Sequence, residues 1–164
     1  MNSATSGYLR ARKAIAKGIT LLDSIPYSLV ALVARAATFT VFWRSGTQKL
    51  ADWNSTLLLF ENVYRVPLLP PHAAAYMAAT LELSGSVLVL LGLMTRLSTL
   101  LLLGMVFVIQ TFIFPNAWPD HIQWFAFMFI LVARGPGRLS LDAWIWKLGN
   151  RNAEGSSTTV DAMR

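Results

Sequence analysis

The stretch Ala73–Arg96, AAAYMAATLELSGSVLVLLGLMTR, is long and apolar enough to cross a membrane as one helix. About 20 apolar residues span the roughly 30 Å of hydrocarbon in a bilayer. A single carboxylate, Glu82, lies near the middle of the stretch. At helical spacing Glu82 shares one face with Ala75, Ala78, Ala79, Gly85, Ser86, Val89 and Gly92. We expect this small-residue face to be buried, with Glu82 held by a charged partner.

The composition is that of a membrane protein. Hydrophobic residues make up 55% of the 164 residues and charged residues only 13%, about half the usual fraction for a soluble domain. The net charge is +6, but the basic residues flank hydrophobic segments instead of forming a groove with aromatic residues, so we expect the lipid bilayer and not nucleic acid as a partner. Without cysteine, the chain itself can form no disulfide or iron–sulfur cluster.

Four hydrophobic spans are predicted, at residues 26–43, 73–96, 97–114 and 122–133, within a membrane domain of residues 26–147. In the long connection 44–72, Gly46 is expected to release the chain from the first span. A short helix ending near Tyr64 would follow, either flat in the interface or folded over the bundle as a lid. Leu139–Leu148 reads as a second interfacial helix. The predicted fold is therefore all-α, an integral membrane four-transmembrane-helix bundle with short interfacial helices.

The two ends of the chain are expected to lie outside this bundle. Residues 1–25 are basic and form either an amphipathic helix on the membrane surface or a disordered leader. Residues 148–164 are polar and predicted to be disordered. Ten Lys and Arg residues fall in the N-terminal segment, at Arg96 and from Arg134 onward, against three in the connection 44–72. This asymmetry favours cytoplasmic N- and C-termini.

Several short motifs occur in a distinctive order. They are Arg35 in the first span, Gly46, Lys49-Leu50, Glu82-Leu83-Ser84-Gly85, Leu91-Gly92-Leu93-Met94-Thr95-Arg96, and Gly135-Pro136-Gly137-Arg138-Leu139-Ser140-Leu141-Asp142. In this order the chain resembles the DoxX family of small bacterial membrane proteins over about residues 27–146. The resemblance implies four transmembrane helices in the bacterial inner (plasma) membrane and an association with redox chemistry. Relatives include the membrane part of a thiosulfate:quinone oxidoreductase, and others accompany sulfur, copper or oxidative-stress systems.

Arg35 and Glu82 are the predicted centre of the site. If the first two spans are antiparallel and begin at opposite membrane edges, both residues lie at similar depth and can form a salt bridge. Such a pair could bind a quinone carbonyl and relay its proton, or could instead fix the register of the helices. Lys49, with Arg44, would contribute from the outer side, although ordinary interfacial snorkelling is the alternative for both.

Further candidates surround this centre. A quinone ring would suit the aromatic residues Trp43 and Trp124, which otherwise belong to an interfacial belt. Gly46, Gly85 and Gln110 complete the predicted contacts, the alternatives being close helix packing for Gly85 and an interhelical hydrogen bond for Gln110. His72 and His121 could meet at the outer face and hold a metal or haem, but lack ligand spacing and more commonly cap helices.

The expected function is a membrane subunit or accessory protein of a quinone-linked redox system. Quinone is the expected ligand, and a soluble oxidoreductase is the expected protein partner, because no residue here carries electrons by itself. A homodimer is left open. The alternatives are a non-enzymatic anchor or assembly factor for a soluble enzyme and, third, a small transporter or channel that uses the same charged pair.

Overall fold

A computed structural model describes residues 3–150, and these are helical with no β-strand. The helices are α1 (Ser3–Asp23), α2 (Tyr27–Ala51), α3 (Trp53–Leu59), α4 (Pro71–Leu91), α5 (Thr95–Val108) and α6 (Trp118–Arg134). A π-helical turn, Phe60–Tyr64, extends α3, and a second one, Ile109–Ile113, extends α5. The chain is again helical over residues 141–150. The predicted tail, residues 148–164, overlaps this helix at residues 148–150, and residues 151–164 lie outside the described part.

Four helices share one core. α2 packs against α4 and α6, and α5 packs against the same two helices. The core consists of Ala31, Ala34, Phe42, Val89, Leu102, Val106, Met128 and Leu131. The small-residue face predicted for α4 is buried, including Ala75, Ala79, Gly85 and Ser86. Many large apolar side chains remain exposed on the outside of these helices, as expected for contact with lipid.

The membrane-spanning segments can be judged by length and apolarity. Within residues 3–150, two helical segments meet both conditions, Pro71–Leu91 and Thr95–Ile113. Arg12–Asp23 and Tyr27–Ala51 add a third if they form one span bent by 65°. The fourth predicted span lies in α6, which has 17 residues. The leader predicted as either a surface helix or disordered is helical from Ser3 to Asp23, with Ile15, Ile19 and Leu22 exposed.

The first span is longer than the sequence predicts. Gly46 does not release the chain, because α2 continues through it to Ala51. The absent side chain of Gly46 leaves room for α4: a Cβ there would lie 2.7 Å from Leu83 Cγ and 3.3 Å from Glu82 Cβ. Gly46 therefore sets the close approach of α2 and α4, and it places residue 46 level with residues 82–83.

The α3 segment covers the start of α4. Asp52 accepts a hydrogen bond from the Ser55 amide (3.0 Å) and begins α3 as its N-cap. Phe60, in the π-helical turn, is buried against Ala74 and Ala75 of α4. The connection therefore packs against the start of α4.

Candidate functional site

A large cavity lies between α2, α4, α5 and the segment after α3. Its volume is about 1060 Å³, and most of its wall is apolar. Aromatic and aliphatic residues from every surrounding element contribute, among them Phe42, Phe60, Tyr64, Leu81, Met105, Val108, Phe114 and Trp124. Ser45, Lys49, Glu82 and His121 supply polar groups to the wall. A cavity of this size and character suits an apolar ligand that has a polar head.

Lys49 and Glu82 form a buried ion pair at this wall. Lys49 Nζ lies 2.8 Å from Glu82 Oε2 and 2.9 Å from Oε1, and it also donates to Ser45 Oγ at 2.8 Å. The Ser45 hydroxyl in turn donates to Glu82 Oε1 at 3.0 Å. The side chain of Glu82 is 3% exposed and that of Lys49 is 15% exposed. Each charge therefore has its countercharge and further hydrogen bonds, as a buried pair requires.

Helix geometry brings these three residues together. Ser45 and Lys49 are four residues apart on α2, so both side chains lie on one face of the helix. Gly46 on the same turn lets α4 approach closely enough for Glu82 to reach both. Ser45 was missed by sequence reasoning, because the predicted helix ended at Trp43. Continuing the helical spacing from Arg35 to Lys49 would have placed Ser45 beside Lys49.

The predicted Arg35–Glu82 salt bridge is wrong. With Gly46 level with Glu82, Arg35 lies eleven residues earlier on α2, about 16 Å away along the helix axis. The Arg35 side chain is 3% exposed and does not line the cavity. The prediction aligned the helix ends at a membrane edge, whereas α2 continues eight residues beyond Trp43 and shifts the register.

Arg35 instead binds backbone carbonyls. Nε donates to Val89 O at 3.0 Å, and the two terminal nitrogens donate to the carbonyls of Leu90 and Leu139. Val89 and Leu90 belong to the last turn of α4, whose carbonyls have no partner within the helix. We call Arg35 and these carbonyls the carbonyl clamp. It ties α2 to the end of α4 and to the segment that follows α6.

The segment after α6 completes this end of the molecule. Asp142 accepts hydrogen bonds from the amides of Met94 (2.8 Å) and Thr95 (2.9 Å), so its carboxylate caps the start of α5. Ser140 Oγ accepts a hydrogen bond from the Ala143 amide at 3.2 Å and so caps the start of the last helix. Gly92 makes this packing feasible, since a Cβ there would lie 2.5 Å from Ser140 Cβ. The role of Asp142 was not predicted.

The two histidines have different partners. His72 is exposed and lies 3.6 Å from Glu61. His121 is buried and its Nδ1 lies 2.6 Å from Gln110 Oε1, so the predicted interhelical hydrogen bond of Gln110 is confirmed. Within residues 3–150, no group of three or more His, Asp or Glu side chains could hold a metal ion.

The remaining predicted contacts divide between the cavity and its surroundings. Trp124 lines the cavity, where its ring packs against Phe42 and His121. Trp43 is 40% exposed and stacks on Phe39 outside the cavity wall. Gly85 packs against Leu102, in agreement with the alternative of close helix packing. Tyr64 lines the cavity, and burial, followed by the charge of Glu82, raises the pKa of its phenol, which therefore stays protonated at neutral pH.

Comparison with known proteins assigns the family. The DoxX family model matches residues 30–115, just over half of the chain. The chain belongs to the DoxX family. No curated protein and no solved structure matches it.

The DoxX match covers the ion pair but not the whole site. Arg35, Ser45, Lys49 and Glu82 all lie within residues 30–115. His121, with the rest of α6, lies beyond the matched region, as does the Asp142 cap. Most residues of the cavity wall in this DoxX protein therefore lie within the matched region, whereas His121 and Trp124 follow it.

Proposed function

We propose that this DoxX protein is a four-transmembrane-helix protein of the bacterial inner membrane that binds a quinone in the cavity beside Lys49 and Glu82. It would serve as the membrane subunit or accessory protein of a redox system for sulfur, copper or oxidative-stress handling. The observation that carries the proposal is the large apolar cavity with one buried ion pair in its wall. The packing of α2, α4, α5 and α6 around one core supports four crossings.

The cavity fits a quinone in size and polarity. A quinone has a flat ring, two carbonyls and an apolar tail, and the wall provides aromatic side chains, an ion pair and a long apolar surface. Tyr64 adds a phenol that can hydrogen-bond to a ring substituent. These groups would bind and orient the ring, and the apolar wall would exclude water from it.

Part of the cavity wall faces outward between α4 and α5. Met77 and Leu101 line the cavity and are more than half exposed, and Gly104 of α5 lies beside them. A Cβ on Gly104 would meet no atom within 4 Å, so open space lies beside this residue. An opening on the apolar outer surface suits a ligand that is dissolved in lipid.

The chemistry divides between the ligand and its partners. A quinone supplies two-electron chemistry that also requires two protons, and no side chain of this chain carries electrons by itself. A soluble oxidoreductase would therefore deliver or remove the electrons. Lys49, Ser45 and Glu82 form a hydrogen-bonded group that can hold a proton at the Glu82 carboxylate.

The test is the identity of the molecules that copurify with the protein. Protein extracted gently from membranes would be analysed by mass spectrometry of its organic extract, for the wild type, Glu82→Gln and Glu61→Gln. We expect near-stoichiometric ligand, as quinone or hydroquinone, in the wild type. Glu82→Gln should lose at least tenfold, because it breaks the ion pair and removes a carboxylate acceptor from the wall. Glu61→Gln is the matched control, because Glu61 pairs with exposed His72 and does not line the cavity.

The other outcomes count against the proposal. Quinone retained in Glu82→Gln would mean that the ion pair does not hold it. An extract free of quinone in all three proteins, together with no binding of added quinone, would overturn the proposal. The anchor alternative would then gain weight, because the terminal helix exposes Trp144, Ile145 and Trp146, a surface that a soluble enzyme could contact.

A further inference from the structure

His121 is a polar residue of the cavity wall and is not part of the Lys49–Glu82 ion pair. It lies in the first turn of α6, is 4% exposed and lines the cavity beside Trp124. Its Nδ1 is 2.6 Å from Gln110 Oε1. The other ring nitrogen, Nε2, has no hydrogen-bond partner among the described residues.

The hydrogen bonds of Gln110 determine which ring nitrogen of His121 carries the proton. Gln110 Nε2 donates to Pro115 O at 2.7 Å, and because a carbonyl can only accept, the amide cannot be turned over. Gln110 Oε1 therefore faces His121 and must receive a proton from Nδ1. In the neutral ring the proton lies on Nδ1, which leaves Nε2 as a hydrogen-bond acceptor.

Nε2 is accessible from the cavity. Every buried side-chain nitrogen and oxygen of the described residues has a hydrogen-bond partner. Nε2 has none, so it must border open space, although the residue as a whole is buried. The open space at His121 is the cavity that it lines.

The ion pair also offers acceptors rather than donors. Lys49 Nζ has three protons, and its three neighbours are Glu82 Oε1, Glu82 Oε2 and Ser45 Oγ. The Ser45 proton is directed to Glu82 as well. The carboxylate oxygens of Glu82 can still accept further hydrogen bonds. The Tyr64 hydroxyl can donate or accept and so favours neither redox form. The wall also has exposed residues that can donate, among them Arg44 and Gln48, and the Gln48 amide can accept as well.

We propose that His121, oriented by Gln110, accepts a hydrogen bond from a ring hydroxyl of the ligand, so that the cavity prefers the hydroquinone to the quinone. This rests on the proposed function, because it names the redox form that the same cavity holds. A hydroquinone carries two hydroxyl donors, whereas a quinone carries only carbonyl acceptors, which would face the lone pair of Nε2.

The test compares two ligands that differ only in redox state. A benzoquinone with a decyl chain and the corresponding hydroquinone would be titrated, without oxygen, into the purified full-length protein in detergent, with affinity measured by equilibrium dialysis. We expect the hydroquinone to bind roughly tenfold more tightly, the effect of about one hydrogen bond. His121→Phe should remove most of this preference, the rest being due to the acceptors of Glu82. His72→Phe, at the exposed histidine outside the cavity, should keep it.

A second variant tests the inference even if His121→Phe does not fold. Gln110→Leu keeps the imidazole but no longer fixes which ring nitrogen carries the proton. The preference for the hydroquinone should therefore fall several-fold while total binding is retained. Equal affinities in the wild type, a tighter quinone, or an unchanged preference in His121→Phe would overturn the inference and leave the proposed function standing. A wild type that binds neither ligand would overturn both.

Discussion

Two cations on α2, Arg35, which is buried, and Lys49, which is partly buried, have opposite surroundings. Arg35 donates to carbonyls of α4 and of the segment after α6, in closed packing away from the cavity. Lys49 meets a carboxylate at the wall of a cavity of about 1060 Å³. Both are charges on an otherwise apolar helix face, and sequence reasoning placed them in one site. The comparison teaches that burial of a charge does not by itself indicate a cavity, because open space lies beside Lys49 and not beside Arg35.

Substitution of Arg35 in the carbonyl clamp should lower stability more than substitution of Lys49 in the ion pair. Arg35→Met leaves the carbonyls of Leu90 and Leu139 without their donor. We expect a loss of about 3–5 kcal/mol in stability, because each buried carbonyl left without a partner costs about 1–3 kcal/mol. Thermal unfolding in detergent would measure it. Arg35→Lys should recover only part, because one ammonium cannot reproduce the fork of a guanidinium.

The opposite result would restore the predicted role of Arg35. If Arg35→Met melted like the wild type but lost its bound quinone, then Arg35 would contact the ligand, and the contrast between the two cations would fail.

The Lys49–Glu82 pair should behave as a coupled unit. Lys49→Met alone leaves a buried carboxylate without its countercharge, and we expect it to cost about 3 kcal/mol. Adding Glu82→Leu should recover most of that loss, because an apolar pair satisfies a buried site nearly as well. Unfolding of the two single variants and the double variant would give the coupling energy. Additive losses would show that the two side chains do not depend on each other.

Substitutions of Gly104 in the cavity wall should have the smallest effect on stability and a clear effect on ligand binding. Gly104→Ala adds a methyl group where no atom lies within 4 Å, so stability should rise by up to about 1 kcal/mol. Gly104→Phe should keep the fold but lower the affinity for the decyl-chain hydroquinone at least tenfold by filling the cavity. Gly18→Ala, in open space on α1, is the control for helix propensity. Unchanged affinity in Gly104→Phe would show that the ligand does not use this side.

The sequence by itself determined what depends on neighbours along one helix. The buried small-residue face of α4 follows from spacing of three or four residues, and the structure agrees with it. Of the four predicted spans, two correspond to described segments long and apolar enough to cross a membrane, and a bent pair of helices adds a third if it forms one span. The order of short motifs was likewise enough to predict the DoxX family.

Only the tertiary structure decided which side chains meet. The partner of Glu82 depends on the axial register of α2 against α4. Arg35 and Lys49 are fourteen residues apart on α2, about 21 Å along the helix axis, and the close approach of α4 at Gly46 brings Glu82 to Lys49. Asp142 caps a helix that begins 47 residues earlier, and His121 reaches the cavity through the packing of α6. Periodicity within a helix carries no information about such a shift, because sliding one helix past another leaves the pattern of each unchanged.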